Sequence, residues 1–168
     1  MLYVLGMTKQ YIQATSVSYQ NKAILITGKP GIGKSSLALR LIESCGAVLI
    51  SDDVTEVRKE GDILIAVAPD SMRGCIEVRG LGILVNQPMV ENISVALLVE
   101  LIEAKEERRL DMSKTKEILG IQLPFFQLNA YDSILDLKIL KAFDILTKKE
   151  VLFSDLPEEE RQKIQKGR

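Results

Sequence analysis

The sequence predicts an α/β protein built on a mixed β-sheet with flanking helices, and three observations lead there. An apolar run, Ala23-Ile24-Leu25-Ile26-Thr27, opens directly into Gly28-Lys29-Pro30-Gly31-Ile32-Gly33-Lys34-Ser35, after which residues 36–43 have helical character. That is the G-x-x-x-x-G-K-S phosphate-binding loop in its required setting, strand before and helix after. Further short, continuous apolar runs at 47–50 and 95–99 have the length of buried strands. Other strand candidates come in pairs joined by tight turns, the mark of antiparallel neighbours.

Taken in order, residues 11–19 carry enough β-branched and aromatic side chains for one strand. Asn21-Lys22 reads as a turn, which makes that strand the antiparallel neighbour of the P-loop strand. Gly46 suits the end of the first helix, and Ala47-Val48-Leu49-Ile50 is a buried strand running into Ser51-Asp52-Asp53. Thr55-Glu56-Val57-Arg58 and Ile63-Leu64-Ile65-Ala66-Val67 flank a glycine-containing turn and form a hairpin. A loop spans 69–74; Ile76-Glu77-Val78-Arg79 and Ile83-Leu84-Val85 then flank Gly80-Leu81-Gly82, where the backbone is expected to bend.

Residues 95–99, extending to 102, form a further strand, and the charge run at 103–109 reads as a solvated connector. Residues 118–128 suggest one or two short strands interrupted by Pro124. Ser133 with Asp136 resembles a capping box opening a helix whose apolar face is Ile134, Leu137, Leu140 and Phe143. Phe125 and Phe126 read as core. The division expected is a catalytic domain over 1–150 and an exposed C-terminal tail over 151–168, with Pro157 suited to a helix start.

Composition narrows the function. Lys+Arg 22 against Asp+Glu 23 leaves no basic excess, which argues against nucleic acid as the main ligand. Two cysteines without metal-site spacing suit a reduced, cytoplasmic setting. No apolar run approaches a membrane span. The chain has no histidine, so acid/base work falls to carboxylates or lysine.

The P-loop assigns the first roles. Its glycines let backbone N–H groups close around phosphate, Lys34 reaches the β- and γ-phosphates of ATP, and the Ser35 hydroxyl serves Mg²⁺. A transferase also needs a group to take the acceptor's proton. Asp52 or Asp53, at the end of a neighbouring strand, meets that need or holds the metal, and their alternation along an extended segment divides the roles between them. Glu77 is a weaker candidate on its own, since a strand-end glutamate beside Arg79 also reads as an ion pair of little energetic weight.

Together these residues resemble the catalytic domain of HPr kinase/phosphorylase, the bacterial enzyme that phosphorylates a serine of the phosphocarrier HPr. Three blocks carry the resemblance: the P-loop, Ser51-Asp52-Asp53, and Ile76-Glu77-Val78-Arg79-Gly80-Leu81-Gly82-Ile83, which looks like the family's own signature. Ile118-Leu119-Gly120-Ile121-Gln122-Leu123-Pro124 is similar to a weaker family pattern, so the likeness spans roughly residues 11–145. The chain looks like the short alphaproteobacterial form, without the extra N-terminal domain of longer members.

The resemblance implies a PEP carboxykinase-like P-loop fold and an oligomer. It also implies Ser35 and Glu77 as metal residues, Asp53 as the base toward the acceptor serine and as the acid in the reverse reaction, and Arg109 as a catalytic arginine. Two departures bear on the reverse, phosphate-dependent reaction more than on the kinase reaction. Gln13 stands where the family pattern has histidine, and Asn129-Ala130-Tyr131-Asp132 replaces an arginine-bearing loop. The expected activity is therefore an ATP- and Mg²⁺-dependent protein-serine kinase of the HPr kinase type. A P-loop kinase of a small molecule and a degenerate nucleotide-binding interaction module are the alternatives.

Overall fold

The P-loop strand is apolar from Ala23 to Ile26 because the sheet is covered on both faces. In the computed structural model, which describes residues 8–106, 114–152 and 155–166, Ile24 and Ile26 of β3 (Lys22–Gly28) face a helical layer, while Ala23 and Leu25 face a second layer of strands. A strand buried on both faces has no need of polar alternation. The same holds for β4 (Val48–Ser51), with Leu49 on the helical side and Ile50 on the other, and for β9 (Ile93–Ile102), where Leu97, Val99 and Leu101 oppose Leu98.

β9 organises the sheet. Its ten residues pair in parallel with β3, antiparallel with β6 (Ile63–Val67) at Ile93 and Ser94, and in parallel with β11 (Ile121–Asn129) from Leu98 to Ile102. The path runs β1 (Lys9–Ile12), β5 (Thr55–Glu60), β6, β9, β3, β2 (Thr15–Tyr19), β4, with β10 (Lys114–Ile118) hairpinned onto β11. β5 (Thr55–Glu60) and β6 form the expected hairpin, and β7 (Ile76–Val78) and β8 (Gly82–Leu84) a separate two-stranded ribbon.

Residues 11–19 are two strands rather than one. β1 (Lys9–Ile12) pairs with β5, whereas β2 (Thr15–Tyr19) pairs with β3 and β4. The break falls at Gln13-Ala14, where Ala14 N–H bonds the Ile12 carbonyl at 2.8 Å and the chain passes from one layer to the other. β-branched and aromatic content is blind to such a change of partner. β2 and β3 are antiparallel neighbours as expected, but the turn is Gln20-Asn21, both at positive φ, and Lys22 is already in β3, paired with Tyr19.

α1 (Lys34–Cys45) buries Leu37, Ala38 and Leu41 against the sheet. Gly46 ends it at φ 72°, where the N–H groups of Gly46 and Ala47 both reach the Leu41 carbonyl, a glycine C-cap. α2 (Leu135–Leu146) packs beside it, with Phe143 edge-to-face on Tyr19 at 5.2 Å. Its buried residues are Leu135, Ile139, Ala142 and Phe143, whereas Ile134 and Leu137 are 49% and 55% exposed. The capping box is absent as well: Ile134 is the N-cap without a side-chain cap, and Asp132 Oδ1 takes the Ile134 N–H instead.

Pro124 does not interrupt a strand. It lies inside β11 opposite Thr115, before the pairing with β9 begins at Phe125, so on that side no ladder N–H is missing. Phe125 and Phe126 pack against the two cores. The charge run begins as expected, with Glu103 paired to Lys105 at 3.0 Å and Lys29 at 3.7 Å. α3 (Glu158–Lys166) follows Pro157 and contains no buried residue.

One ion pair network gives the fold a pH signature. Glu56 is almost fully buried; burial pushes its pKa upward, but hydrogen bonds from Tyr11, Arg58 and Lys9 outweigh it and hold it at about 2, against an ordinary 4.5. A depressed folded pKa stabilises the protein above the unfolded value, and the contribution is lost as pH falls from 4.5 through 2. Its size is on the order of 2–3 kcal/mol. Denaturant unfolding of Glu56→Gln should show reduced stability at pH 7 and a flatter decline below pH 4.5 than the parent; equal stability at pH 7 would contradict the assignment.

Candidate functional site

The P-loop follows β3 and feeds α1, and its first glycine is required by packing. Gly28 sits at φ 137°, and a Cβ there would lie 2.7 Å from the Leu101 carbonyl oxygen on β9. α1 starts at Lys34 with no side-chain cap and no acid in its first turn, so its leading N–H groups face outward uncountered. Lys34 is buried, and its Nζ donates to the Gly28 and Lys29 carbonyls at 3.2 Å each, which holds the amine against the loop.

The two acids at the end of β4 separate completely. Asp52 is 2% exposed and accepts three hydrogen bonds: Thr15 Oγ1 at 2.8 Å and Ser35 Oγ at 2.7 Å on Oδ1, and the Glu77 N–H at 2.9 Å on Oδ2. Asp53 is exposed and held at φ 62°, inside a tight turn in which Val54 N–H bonds the Asp52 carbonyl at 2.7 Å. Its own N–H donates to Thr15 Oγ1 at 3.3 Å. A non-glycine residue in the left-handed region costs about 1–2 kcal/mol, and here it turns the side chain outward.

A cleft of about 620 Å³ gathers most of the predicted residues: Pro30, Gly31, Ile32, Gly33, Lys34 and Ser35, with Asp53 from the β4–β5 turn and Glu77 from β7. Gly28 and Lys29 line a second cavity of about 360 Å³ on another side of the loop, together with Gln13, Glu100 and Gln127. Gln13 is therefore not among the residues lining the main cleft. Arg109 lies outside the described residues.

The sequence reading missed two features. Asp52 is the buried anchor of the site, which its strand-end position alone does not reveal. Arg79 also lines the cleft, and its guanidinium lies 3.5 Å from where a side chain on Gly31 would begin. Among the described residues it forms no ion pair with Glu77. The signal was available, because residues two apart on a strand share a face.

The fold and the cleft define a P-loop α/β protein whose loop lines a cleft flanked by acids and an arginine. Residues 7–134 match the family model described as the HPr Serine kinase C-terminal domain, and the chain belongs to that family. It is 33% identical over 133 residues to an HPr kinase/phosphorylase from Chloroherpeton thalassium, covering 73% of this chain and 39% of that protein. It is 41% identical over 101 residues to one from Alkaliphilus metalliredigens, covering 58% and 32% respectively. The Hpr(Ser) kinase/phosphatase from Coxiella burnetii superposes with a TM-score of 0.74 at 29% identity, covering 83% of this chain and 97% of that one. The chain thus spans well under half the length of the curated relatives it matches. Among the described residues no helix is long and apolar enough to cross a membrane.

The Asp52 geometry makes a specific prediction. Asp52→Ala leaves three donors without their acceptor and should lower unfolding stability by about 1–3 kcal/mol. Asp52→Asn should cost less, because the Thr15 and Ser35 hydroxyls can turn to accept from the amide NH₂ while its carbonyl takes the Glu77 N–H. Denaturant midpoints for the two variants check the order.

Proposed function

We propose that this chain is an ATP- and Mg²⁺-dependent protein-serine kinase acting on HPr, with residues 1–150 as its catalytic unit. The observation that carries this reading is a single cleft holding the P-loop lysine and serine, the outward-turned Asp53, and Glu77 with Arg79. The lack of buried residues in α3 supports treating the tail as separate from that unit.

The donor set suits Mg²⁺, which takes oxygen ligands, keeps several waters and relies on one or two protein groups plus substrate phosphates. Ser35 Oγ and the Glu77 carboxylate supply those groups, with Asp52 accepting from both Ser35 Oγ and the Glu77 N–H. Bound there, the ion would neutralise charge on the phosphates.

In the forward reaction Lys34, Arg79 and the amides of the loop hold the triphosphate. Asp53 takes the proton of the acceptor serine hydroxyl as its oxygen bonds to the γ-phosphorus, and the bond to the β-phosphate oxygen breaks, releasing ADP. The exposed carboxylate can meet a serine presented by a protein surface. The reverse reaction has less support in this chain, since Gln13 cannot become cationic and lines the other cavity.

Incubation with labelled ATP, Mg²⁺ and HPr should give phosphoserine on HPr. Transfer to another acceptor with HPr ignored would overturn the substrate assignment, and ATP binding without any transfer would favour the interaction-module reading. Asp53→Asn should lower turnover by about 10²- to 10⁴-fold while leaving ATP affinity within a few-fold, as measured by initial rates and by calorimetric titration.

A further inference from the structure

The cleft has a second flank that phosphate chemistry does not use. β3 lies in the middle of a row of strands, with β2 and then β4 on one side and β9 and then β11 on the other. β4, β9 and β11 all run parallel to β3, the first because both it and β3 pair antiparallel with β2. Their carboxyl ends therefore open on one edge, where α/β sheets bind ligands. At about 4.8 Å per ladder step, the ends of β4 and β11 stand roughly 19 Å apart with the P-loop midway. An extended nucleoside triphosphate can bridge that span.

The two flanks differ in chemistry. The β4 side supplies Asp53, with Glu77 tied to it through the bond from the Glu77 N–H to Asp52, and Arg79 two residues on. The β11 side supplies Ala130, Tyr131 and Leu135, with Arg40 of α1, whose guanidinium pairs with Asp136 at 3.8 Å. Tyr131 is the aromatic residue of the cleft lining, and it is 73% exposed. Among the described residues its ring has no aromatic or cationic neighbour and its hydroxyl no hydrogen bond.

The loop that carries Tyr131 is nevertheless firmly tied. Ala130 N–H bonds the Ile102 carbonyl at 2.9 Å, Tyr131 N–H bonds Asn129 Oδ1 at 3.0 Å, and Asp132 closes the far end on the Ile134 N–H at 3.0 Å. A ring without protein partners, on a fastened loop at the rim of a phosphate site, is built to stack on something that arrives.

We propose that Tyr131, with Ala130 and Leu135, is the nucleobase subsite of the cleft: the base stacks on the Tyr131 ring while the phosphates run back through the P-loop toward Asp53. This rests on the nucleotide reading of the P-loop, and it assigns the loop at 129–132 to substrate binding.

Calorimetric titration with Mg·ATP and with Mg·tripolyphosphate separates the two readings. Tyr131→Ala should weaken Mg·ATP binding by about 5- to 150-fold, the range of a lost base–aromatic stack, and leave Mg·tripolyphosphate within twofold. Tyr131→Phe should bind both as the parent does. If Tyr131→Ala binds Mg·ATP like the parent, or loses both ligands equally, the subsite is overturned while the P-loop reading stands. If the parent binds neither ligand, both fall.

Discussion

A carboxylate removed from water must find donors, and Asp52 finds three that belong to three different elements. Thr15 comes from β2, Ser35 from the first turn of α1, and the Glu77 N–H from β7, so one buried side chain fixes the P-loop helix against a strand and against the ribbon that carries Glu77 and Arg79. Its satisfaction also dictates the fate of its neighbour. With Asp52 turned inward and Val54 bonded back to the Asp52 carbonyl, Asp53 takes a left-handed conformation and faces the cleft. The geometry of the candidate base thus follows from burial of the acid beside it.

The sheet makes that arrangement stiff. β9 pairs with three neighbours, and both faces of the β3–β9 pair are packed, by α1 and α2 on one side and by the strand layer on the other. A close-packed scaffold of this kind holds functional groups on rigid elements, with only short loops at the cleft. It also spreads the cleft along one sheet edge, with acids and arginine at one flank and an aromatic loop at the other.

Local patterns failed where two partners or two faces competed. Residues 135–143 carry apolar side chains on more than one face, so an i, i+3 stripe through Ile134, Leu137, Leu140 and Phe143 is as regular as the one that is buried. Contact with the sheet selects Leu135, Ile139, Ala142 and Phe143. Residues 11–19 carry enough β-branched and aromatic side chains for one strand, yet the chain changes layers at Gln13-Ala14. Gln13, at that change of layers, lines the cavity shared with Gly28 and Lys29 and not the main cleft.

The sequence by itself determined the P-loop, the strand before it and the helix after it, the β2–β3 and β5–β6 hairpins, and the family blocks around Asp53 and Glu77. These are local: each depends on backbone conformations and turn chemistry within a few residues. Only the tertiary structure decided which of two adjacent acids is buried, that Arg79 faces Gly31, and that Tyr131 shares a cleft with Lys34. Those outcomes depend on contacts between β2, β4, β7, β11 and α1, elements far apart in the chain. Their positions are set by the order of strands around β9, which no short stretch of residues encodes.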